Sequence, residues 1–413
     1  ASSGSTCIDF NQLDITTVAT TSLTLRGDLT ASSLNYGGTI QGLIVDNASS
    51  TLVAVNLGVT GANNDINRLE ISNSSISGDH SAIFSEGSID QLLVENCYIA
   101  GIGVSILNHD IDSGVTGNIS YRNCEFYTEK NITTGAGSLI NILYSGSGAN
   151  DGSLEISNCT ISGEFQNNPT ATQNYINIST PRLDSLVIEN VVCEAVDADT
   201  SDLVTFLKIS GASSLIRTAS IKNFYCINGK TGIDIALSDN AVPADGVAFT
   251  TNFTIEGFVH QGGVSVLASA YTIPITQGSL LVDLDDIMGN FVIKDSLFFN
   301  TGSTAGGGNV AGIYLDAEGG TTWGLNVLIK DNMFSQIQSV AALNVINLFG
   351  TGTSTESFKI SGNTMAGCVA ATTDLNLIKT TSCDTVIICE NEMGSPGNAS
   401  KNQVNAGGDS ASI

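Results

Sequence analysis

Hydrophobic and polar residues alternate in a unit of eight residues that recurs along the chain. Leu154–Ile161 reads LEISNCTI, Leu69–Ile76 reads LEISNSSI and Leu92–Ile99 reads LLVENCYI. Looser copies begin at Ile119, Leu186, Ala219, Phe253, Phe291, Val327, Phe358 and Val386. Successive copies start 23 to 38 residues apart. A repeat of this length is typical of solenoids, in which each repeat is one supersecondary unit.

In the first of these copies the apolar residues change parity halfway along. Leu154 and Ile156 alternate with polar residues, so they share one face of a strand. Cys159 and Ile161 follow Ile156 at odd spacings, and a straight strand would turn them to the opposite face. A left-handed backbone conformation at Asn158 would bend the chain and keep both pairs inward. We therefore predict a strand, a corner and a second strand.

Ten of the eleven corner positions hold Asn, Gly or Asp, the residues that tolerate left-handed backbone angles. They are Asn73, Asn96, Asn123, Asn158, Asn190, Asn223, Gly257, Asp295, Asp331 and Gly362, with Glu390 in the last copy. A further apolar alternation lies between most copies, such as SLINILY at Ser138–Tyr144. Each repeat thus predicts about three short strands, which form one coil of a parallel β-helix. The sequence predicts about eleven such coils.

The strand–Asn–strand unit resembles the asparagine-ladder corner of the right-handed, pectate-lyase-like β-helix superfamily. The resemblance covers roughly residues 20–395. It implies an all-β, right-handed, single-stranded parallel β-helix. We predict a strand or arm over 1–20, the β-helix over 21–395 and a tail over 396–413.

The resemblance makes lyase or glycosidase chemistry a serious hypothesis. Of the superfamily's polygalacturonase motifs, Asn-Thr-Asp, Gly-His-Gly and Arg-x-Lys are absent, and Asp285-Asp286 is the only match. Asp283 and Asp285 share a strand face, and His109 lies in the acidic segment Asn108–Asp112. The aspartate cluster is a catalytic carboxylate pair, a surface cation site or solvated surface. The segment with His109 is a calcium-binding loop or solvated surface. We predict no catalytic residue and no metal site, and calcium is the one cofactor left open.

Five of the nine cysteines fall at equivalent positions of the repeat. Cys97, Cys124 and Cys159 follow the corner Asn directly, and Cys193 and Cys226 lie two residues later. Equivalent positions stack in a β-helix, so we predict a buried ladder of small thiols. Vertical stacking seldom gives good disulfide geometry. A pairing of Cys368 with Cys383 or Cys389 stays open.

Composition narrows the partners and the compartment. Forty acidic residues against fourteen basic ones give a net charge of −26, which disfavours nucleic acid and anionic membranes. No apolar run reaches the length of a transmembrane helix. The start at Ala-Ser-Ser fits a mature secreted protein. Asn131, Asn252 and Asn398 are the better glycosylation candidates among the Asn-x-Ser/Thr sequons.

Three functional hypotheses remain after these exclusions. The first is a secreted structural or adhesive β-helix that self-assembles into a filament, spike or surface layer, with itself as partner. The second is a carbohydrate-active enzyme or glycan-binding module that uses one flank of the solenoid. The third is a trimer that resembles a viral tailspike. The sequence favours the first, at the cell surface or outside the cell.

Overall fold

The chain forms an all-β parallel solenoid in a computed structural model, which confirms the predicted fold class. Contacts divide it into two compact units, Ala1–Val196 and Asp197–Ile413. No helix occurs among the described residues. The structure describes residues 6–9, 14–17, 23–25, 37–47, 53–57, 68–79, 81–87, 90–101, 105–111, 117–128, 138–144, 152–163, 173–179, 182–195, 204–211, 215–238, 250–262, 264–265, 277–285, 287–303, 310–317, 324–339, 342–350, 356–370, 375–394, 401–407 and 411–412.

The first unit contains the strands β1 to β19. They are β1 (Thr6–Asp9), β2 (Asp14–Thr17), β3 (Leu23–Leu25), β4 (Gly37–Gln41), β5 (Ile44–Asn47), β6 (Val53–Leu57), β7 (Arg68–Ser72), β8 (Ser75–Gly78), β9 (Ser81–Gly87), β10 (Gln91–Glu95), β11 (Tyr98–Gly101), β12 (Leu107–Ile111), β13 (Asn118–Arg122), β14 (Glu125–Thr128), β15 (Ser138–Tyr144), β16 (Gly152–Ser157), β17 (Thr160–Gly163), β18 (Gln173–Ser179) and β19 (Arg182–Ala195).

The second unit contains the strands β20 to β42. They are β20 (Val204–Ser210), β21 (Leu215–Ile227), β22 (Thr231–Ser238), β23 (Thr250–Glu256), β24 (Val259–Gln261), β25 (Val264–Ser265), β26 (Gln277–Asp285), β27 (Met288–Lys294), β28 (Leu297–Phe299), β29 (Gly302–Ser303), β30 (Val310–Asp316), β31 (Leu325–Lys330), β32 (Met333–Ser335), β33 (Gln338–Ser339), β34 (Leu343–Phe349), β35 (Ser357–Ser361), β36 (Thr364–Ala366), β37 (Val369–Ala370), β38 (Leu375–Thr381), β39 (Thr385–Cys389), β40 (Glu392–Met393), β41 (Lys401–Gly407) and β42 (Ala411–Ser412).

The coils build three faces, and every strand pair among the described residues is parallel. In two coils one continuous strand, β19 or β21, covers both the first and the second face. The first face precedes the corner and includes β7, β10, β13 and β16. The second face follows the corner and includes β8, β11, β14 and β17. The third face includes β6, β9, β12, β15 and β18. In the second unit a short fourth row, β25, β29, β33 and β37, follows the second face.

The number of coils differs from the eleven predicted. Among the residues that the structure describes, the third face has six strands in the first unit and seven in the second. The additional coils at the start of the chain lack the recognisable corner motif. In the coil of β4 and β5 the corner is Gly42, after a strand with one large apolar residue, Ile40.

The strands also extend beyond the predicted domain boundaries. Within the predicted arm over 1–20, β1 pairs with β4 and β2 pairs with β5. Within the predicted tail over 396–413, β41 pairs with β38 and β42 pairs with β39. These segments therefore continue the parallel ladders, although their sequences carry few apolar residues.

The backbone bends at every proposed corner. The residue there has a positive φ, between 49° and 67°, at Asn73, Asn96, Asn123, Asn158, Asn190, Asn223, Gly257, Asp295, Asp331, Gly362 and Glu390. After the bend, Cys159 and Ile161 are buried on the same side as Leu154 and Ile156. A left-handed residue thus compensates for the change of parity, because it reverses which side of the following strand faces inward.

The interior of each unit is built from inward rows that repeat from coil to coil. Ile71, Val94 and Ile156 occupy one such row and are fully buried. Aromatic rings replace aliphatic side chains in the second unit, where Phe298 and Phe334 stack with ring centroids 4.7 Å apart. This distance is close to the ~4.8 Å between neighbouring strands, so identical residues in register are in direct contact.

A β-branched residue at a corner should destabilise the fold. We expect Asn158→Val to lower the free energy of unfolding by about 1–2 kcal/mol relative to Asn158→Gly, because only glycine adopts the observed φ of 52° without strain. Both variants lose the hydrogen bond from Asn190 Nδ2 to Asn158 Oδ1 equally. Chemical unfolding followed by circular dichroism measures the difference, and equal stability of the two variants would contradict the corner's role.

Candidate functional site

The position immediately after the corner carries a second ladder, which runs inside the solenoid. Its residues, here called the acceptor ladder, are Ser74, Cys97, Cys124 and Cys159 in the first unit and Ser296, Asn332, Asn363 and Asn391 in the second. Ser74 Oγ accepts the backbone N–H of Leu43, the residue one coil earlier, at 3.1 Å. Ser296 Oγ likewise accepts the N–H of Phe258 at 3.2 Å. The ladder therefore satisfies backbone donors that the bend leaves inside the core.

The predicted cysteine ladder belongs to this arrangement in part. Cys97, Cys124 and Cys159 are buried, and each thiol receives the N–H of the ladder residue one coil earlier. Each Sγ also lies 3.2 Å from the carbonyl oxygen two residues before it. The hydrogen bond with Cys124, together with burial, raises the pKa of Cys97. These thiols thus act as hydrogen-bonding groups, beyond the small apolar role that was predicted.

The remaining cysteines are also buried or nearly so. Cys193 and Cys226 are completely buried, and burial raises the pKa of Cys193 well above its ordinary value. No disulfide joins any of the eight cysteines whose side chains are described, which include Cys368, Cys383 and Cys389.

The asparagine ladder of the second unit lies one position after the predicted corner residues. Asn363 is fully buried, and its Oδ1 accepts the backbone N–H of Asn332 at 3.0 Å and the Nδ2 of Asn332 at 2.9 Å. Its own Nδ2 donates to the carbonyls of Ile329 and Ser361. Asn391 repeats this pattern toward Asn363. The sequence pattern did not predict the hydrogen-bonding role of these residues, although Asn directly follows the corner in three successive copies.

His109 lies in a strand and not in a cation-binding loop. The segment Leu107–Ile111 is β12, so the alternation turns His109 into the core and Asp110 away from it. Its two ring nitrogens contact the hydroxyl groups of Ser85 and Tyr121, both buried. Burial lowers the pKa of His109 to about 3, so the ring is neutral at pH 7. Because no face of the ring reaches solvent, this group holds β9, β12 and β13 together.

The other described histidine is buried as well. His260 donates from Nε2 to the carbonyl oxygen of Gly229 at 2.8 Å and packs against Phe258. Burial lowers its pKa to about 4. The role of His260 is therefore structural. His80 lies outside the described residues.

The acidic strand DLDD contributes to the surface of the third face. Asp283 is exposed on β26 and stands opposite Asp316 on β30. Tyr314 donates its hydroxyl to Asp316 Oδ2 at 2.7 Å. Asp285 ends β26, and Asp286 lies outside the described residues. Within the described part of the chain, no group of three or more His, Cys, Asp or Glu side chains is placed to hold a metal ion.

One glycosylation candidate is described. Asn252 lies on the outward side of β23, where its Oδ1 accepts a hydrogen bond from Asn290 Nδ2 at 2.9 Å. Asn131 and Asn398 lie outside the described residues.

Two outward surfaces remain after the core has been accounted for. On the first face of the first unit, a groove of about 270 Å³ crosses β7, β10, β13 and β16 and is lined by polar side chains. On the second face of the second unit, apolar side chains stand in register on β21, β24, β28 and β32. These surfaces, here called the polar groove and the apolar row, are the candidate functional sites.

Comparison with protein-family models, curated proteins and solved structures finds no match to this chain. The fold and the two surfaces are therefore interpreted from their own geometry. The described residues include no helix of the length and hydrophobicity that a membrane-spanning segment requires.

Removal of a buried ladder amide should be costly. We expect Asn363→Ala to lower the free energy of unfolding by about 3–5 kcal/mol, because two donors and three acceptors each lose a hydrogen bond inside the core. Asn326→Ala, which removes an exposed amide of β31, is the matched control and should change stability by less than about 0.5 kcal/mol. Similar losses for both variants in urea unfolding would refute the ladder's contribution.

Acid should destabilise the fold through His109. Its pKa is lowered from 6.5 to about 3 in the folded state, so the unfolded chain binds the additional proton between these two values. Stability is therefore lost as the pH falls below about 6.5, by about 2–3 kcal/mol at pH 4.5. His109→Gln keeps a donor and an acceptor without titrating. We expect urea unfolding at pH 7 and pH 4.5 to show a smaller loss in this variant than in the wild type, whereas parallel losses would disprove the assignment.

Proposed function

We propose that this protein is a structural or adhesive β-helix that self-associates through the apolar row of its second unit. The observation that carries this proposal is the continuity of the row. Tyr225, Val259, Leu297 and Met333 are register partners on four successive coils and all point outward. The exposed fraction is 40% for Tyr225 and 46% for Met333, whereas Val259 and Leu297 are half-buried.

A second outward row adds two apolar side chains to this face. Ile227 and Phe299 lie two residues after Tyr225 and Leu297 and are half-buried. The exposed Gln261 stands between them in the register. Neighbouring strands are ~4.8 Å apart, so the surface extends over about 14 Å along the coils. Contiguous apolar patches of this kind are uncommon on soluble monomers and usually mark an interaction site. They match the apolar centre of a protein interface, for which about 800 Å² is buried on each partner.

Charged side chains of both signs flank the apolar row at the corner. Lys294 pairs with Glu256 on the preceding strand at 3.0 Å, and Lys330 pairs with Asp331 at 3.0 Å. These exposed pairs add little to the stability of one chain. At an interface they would form a polar rim that carries both charges, and such a rim can pair with a second copy of itself.

The net charge of the chain makes contact between two copies more favourable at this rim than elsewhere on the surface. At −26 the copies repel one another over most approaches, and the repulsion is screened by salt. The corner beside the apolar row concentrates Lys222, Lys294 and Lys330 in a chain that has only fourteen basic residues. We therefore expect self-association to strengthen with ionic strength.

The same proposal includes a right-handed β-helix and a location outside the cell. A right-handed helix follows from the strong preference of parallel crossover connections. It would make the chain similar to the pectate-lyase-like β-helices, as a member without catalytic function. Such a protein would act outside the cell, as a filament, a spike or a surface layer.

A charge placed on the apolar row should prevent self-association. We expect sedimentation velocity to show wild-type species larger than the monomer at micromolar to millimolar concentration, and Met333→Glu to weaken this association at least tenfold. The negative charge would be buried without a partner in the interface. Because Met333 points outward and is 46% exposed, the variant should keep its folding and its circular dichroism spectrum.

Thr160→Glu is the matched control for this experiment. Thr160 occupies the equivalent outward position on β17 of the first unit, is exposed, and gains the same charge. It should associate like the wild type. A wild type that stays monomeric at all concentrations, or a Met333→Glu variant that associates unchanged, would overturn the proposal. A closed trimer in solution would support the tailspike-like alternative.

A further inference from the structure

Three outward rows of side chains form the polar groove on the first face of the first unit. The first row consists of Arg68, Gln91, Asn118 and Ser153, one residue from each of four successive coils. The second row contains Leu93 and Glu155, and the third contains Arg122. The groove therefore runs along the coils, perpendicular to the strands, over about 14 Å.

The first row offers hydrogen-bonding groups that have no partner among the described residues. Arg68 is exposed, and its side chain makes no hydrogen bond or ion pair among the described residues. Gln91 is exposed in the same way. Asn118 Oδ1 accepts the hydroxyl of Ser153 at 2.9 Å, which leaves its Nδ2 as a donor toward the groove. Planar amide and guanidinium groups spaced by one coil can bind a polymeric ligand whose polar groups recur at a similar spacing.

The far end of the groove is fixed by a network around Glu155. Arg122 donates from Nε and Nη2 to the two carboxylate oxygens at 3.0 and 2.5 Å. Ser120 and Ser157 donate as well, at 3.1 and 2.9 Å. Although burial opposes it, these bonds lower the pKa of Glu155 below its ordinary value. The carboxylate is thus charged and held in place, and these four donors occupy its lone pairs.

The floor and the charge of the groove define the chemistry of a ligand. Leu93 is half-buried between the polar rows and offers an apolar surface to the C–H face of a ring. Arg68 and Arg122 are balanced by Glu70, Glu95 and Glu155 on the same three rows. A polyanion therefore gains no net attraction here, and the chain as a whole repels it.

We propose that the polar groove binds a neutral linear oligosaccharide along the axis of the coils. Successive sugar rings would meet successive coils, with ring hydroxyls paired to Arg68, Gln91 and Asn118 and one ring face on Leu93. A length of about 14 Å accommodates several rings and exceeds a monosaccharide. This binding site is independent of the apolar row, because it lies in the other unit.

The test is calorimetric titration of the full chain with defined hexasaccharides. Neutral probes are cellohexaose, chitohexaose, xylohexaose and mannohexaose, and the acidic probe is hexagalacturonate with and without calcium. We expect at least one neutral probe to bind, and the double variant Arg68→Ala and Asn118→Ala to weaken that binding at least tenfold. Lys359→Ala is the control, because it removes an exposed cation from the first face of the second unit.

Each outcome decides for or against the groove. Loss of binding in the double variant alone, with unchanged circular dichroism, supports the proposal. Failure of every neutral probe would overturn it, and so would equal binding by the double variant and the wild type. Tighter binding of hexagalacturonate than of any neutral probe would overturn the assignment of a neutral ligand. Unchanged self-association of the double variant keeps this result separate from the function proposed for the apolar row.

Discussion

The left-handed residue at the corner of each coil determines which side chains of the next strand reach the core. At Asn158 and its equivalents φ is positive, and the strand that follows turns inward the positions of opposite parity to those of the preceding strand. Without that reversal, Cys159 and Ile161 would face solvent. The bend also has a cost, because the backbone N–H of the next residue is turned into the interior, away from water. The acceptor ladder offsets this cost with a side-chain atom from the following coil.

Three residue types perform this role with different strength. Serine at Ser74 and Ser296 provides one acceptor oxygen, and the thiols of Cys97, Cys124 and Cys159 provide a weaker one. Asn363 and Asn391 each accept two hydrogen bonds, and Asn332 accepts one. All three asparagines also donate to backbone carbonyls. The second unit thus has more hydrogen bonds between coils at this position than the first unit. The first unit has in addition the buried contacts of His109 with Ser85 and Tyr121.

The sequence revealed those features that a single coil encodes by itself. The alternation of Leu154 and Ile156, and the Asn that follows, predict both strands and the corner between them. The acceptor ladder was missed because Ser, Cys and Asn share little except a lone pair, and that property matters only when the coils are stacked.

His109 was read as part of an acidic loop because Asn108 and Asp110 are polar. On β12 these two point outward, and Asn108 accepts a hydrogen bond from Asn141 one coil later. Both surfaces escaped prediction for the same reason, since their register depends on turns of variable length.

The direction of the amide hydrogen bonds in the second unit has a consequence for partial unfolding. The N–H and Nδ2 of Asn332 are both satisfied by the coil that carries Asn363, and those of Asn363 by the coil that carries Asn391. A coil that detached would strand buried donors in the coil before it, which has already excluded water. Fraying of one coil therefore costs free energy, because it leaves unpaired donors in the coil before it. The same cost arises again at each coil of the ladder that would detach next. The loss of structure in this region should accordingly be cooperative over several coils, because detachment of the terminal coil is itself unfavourable.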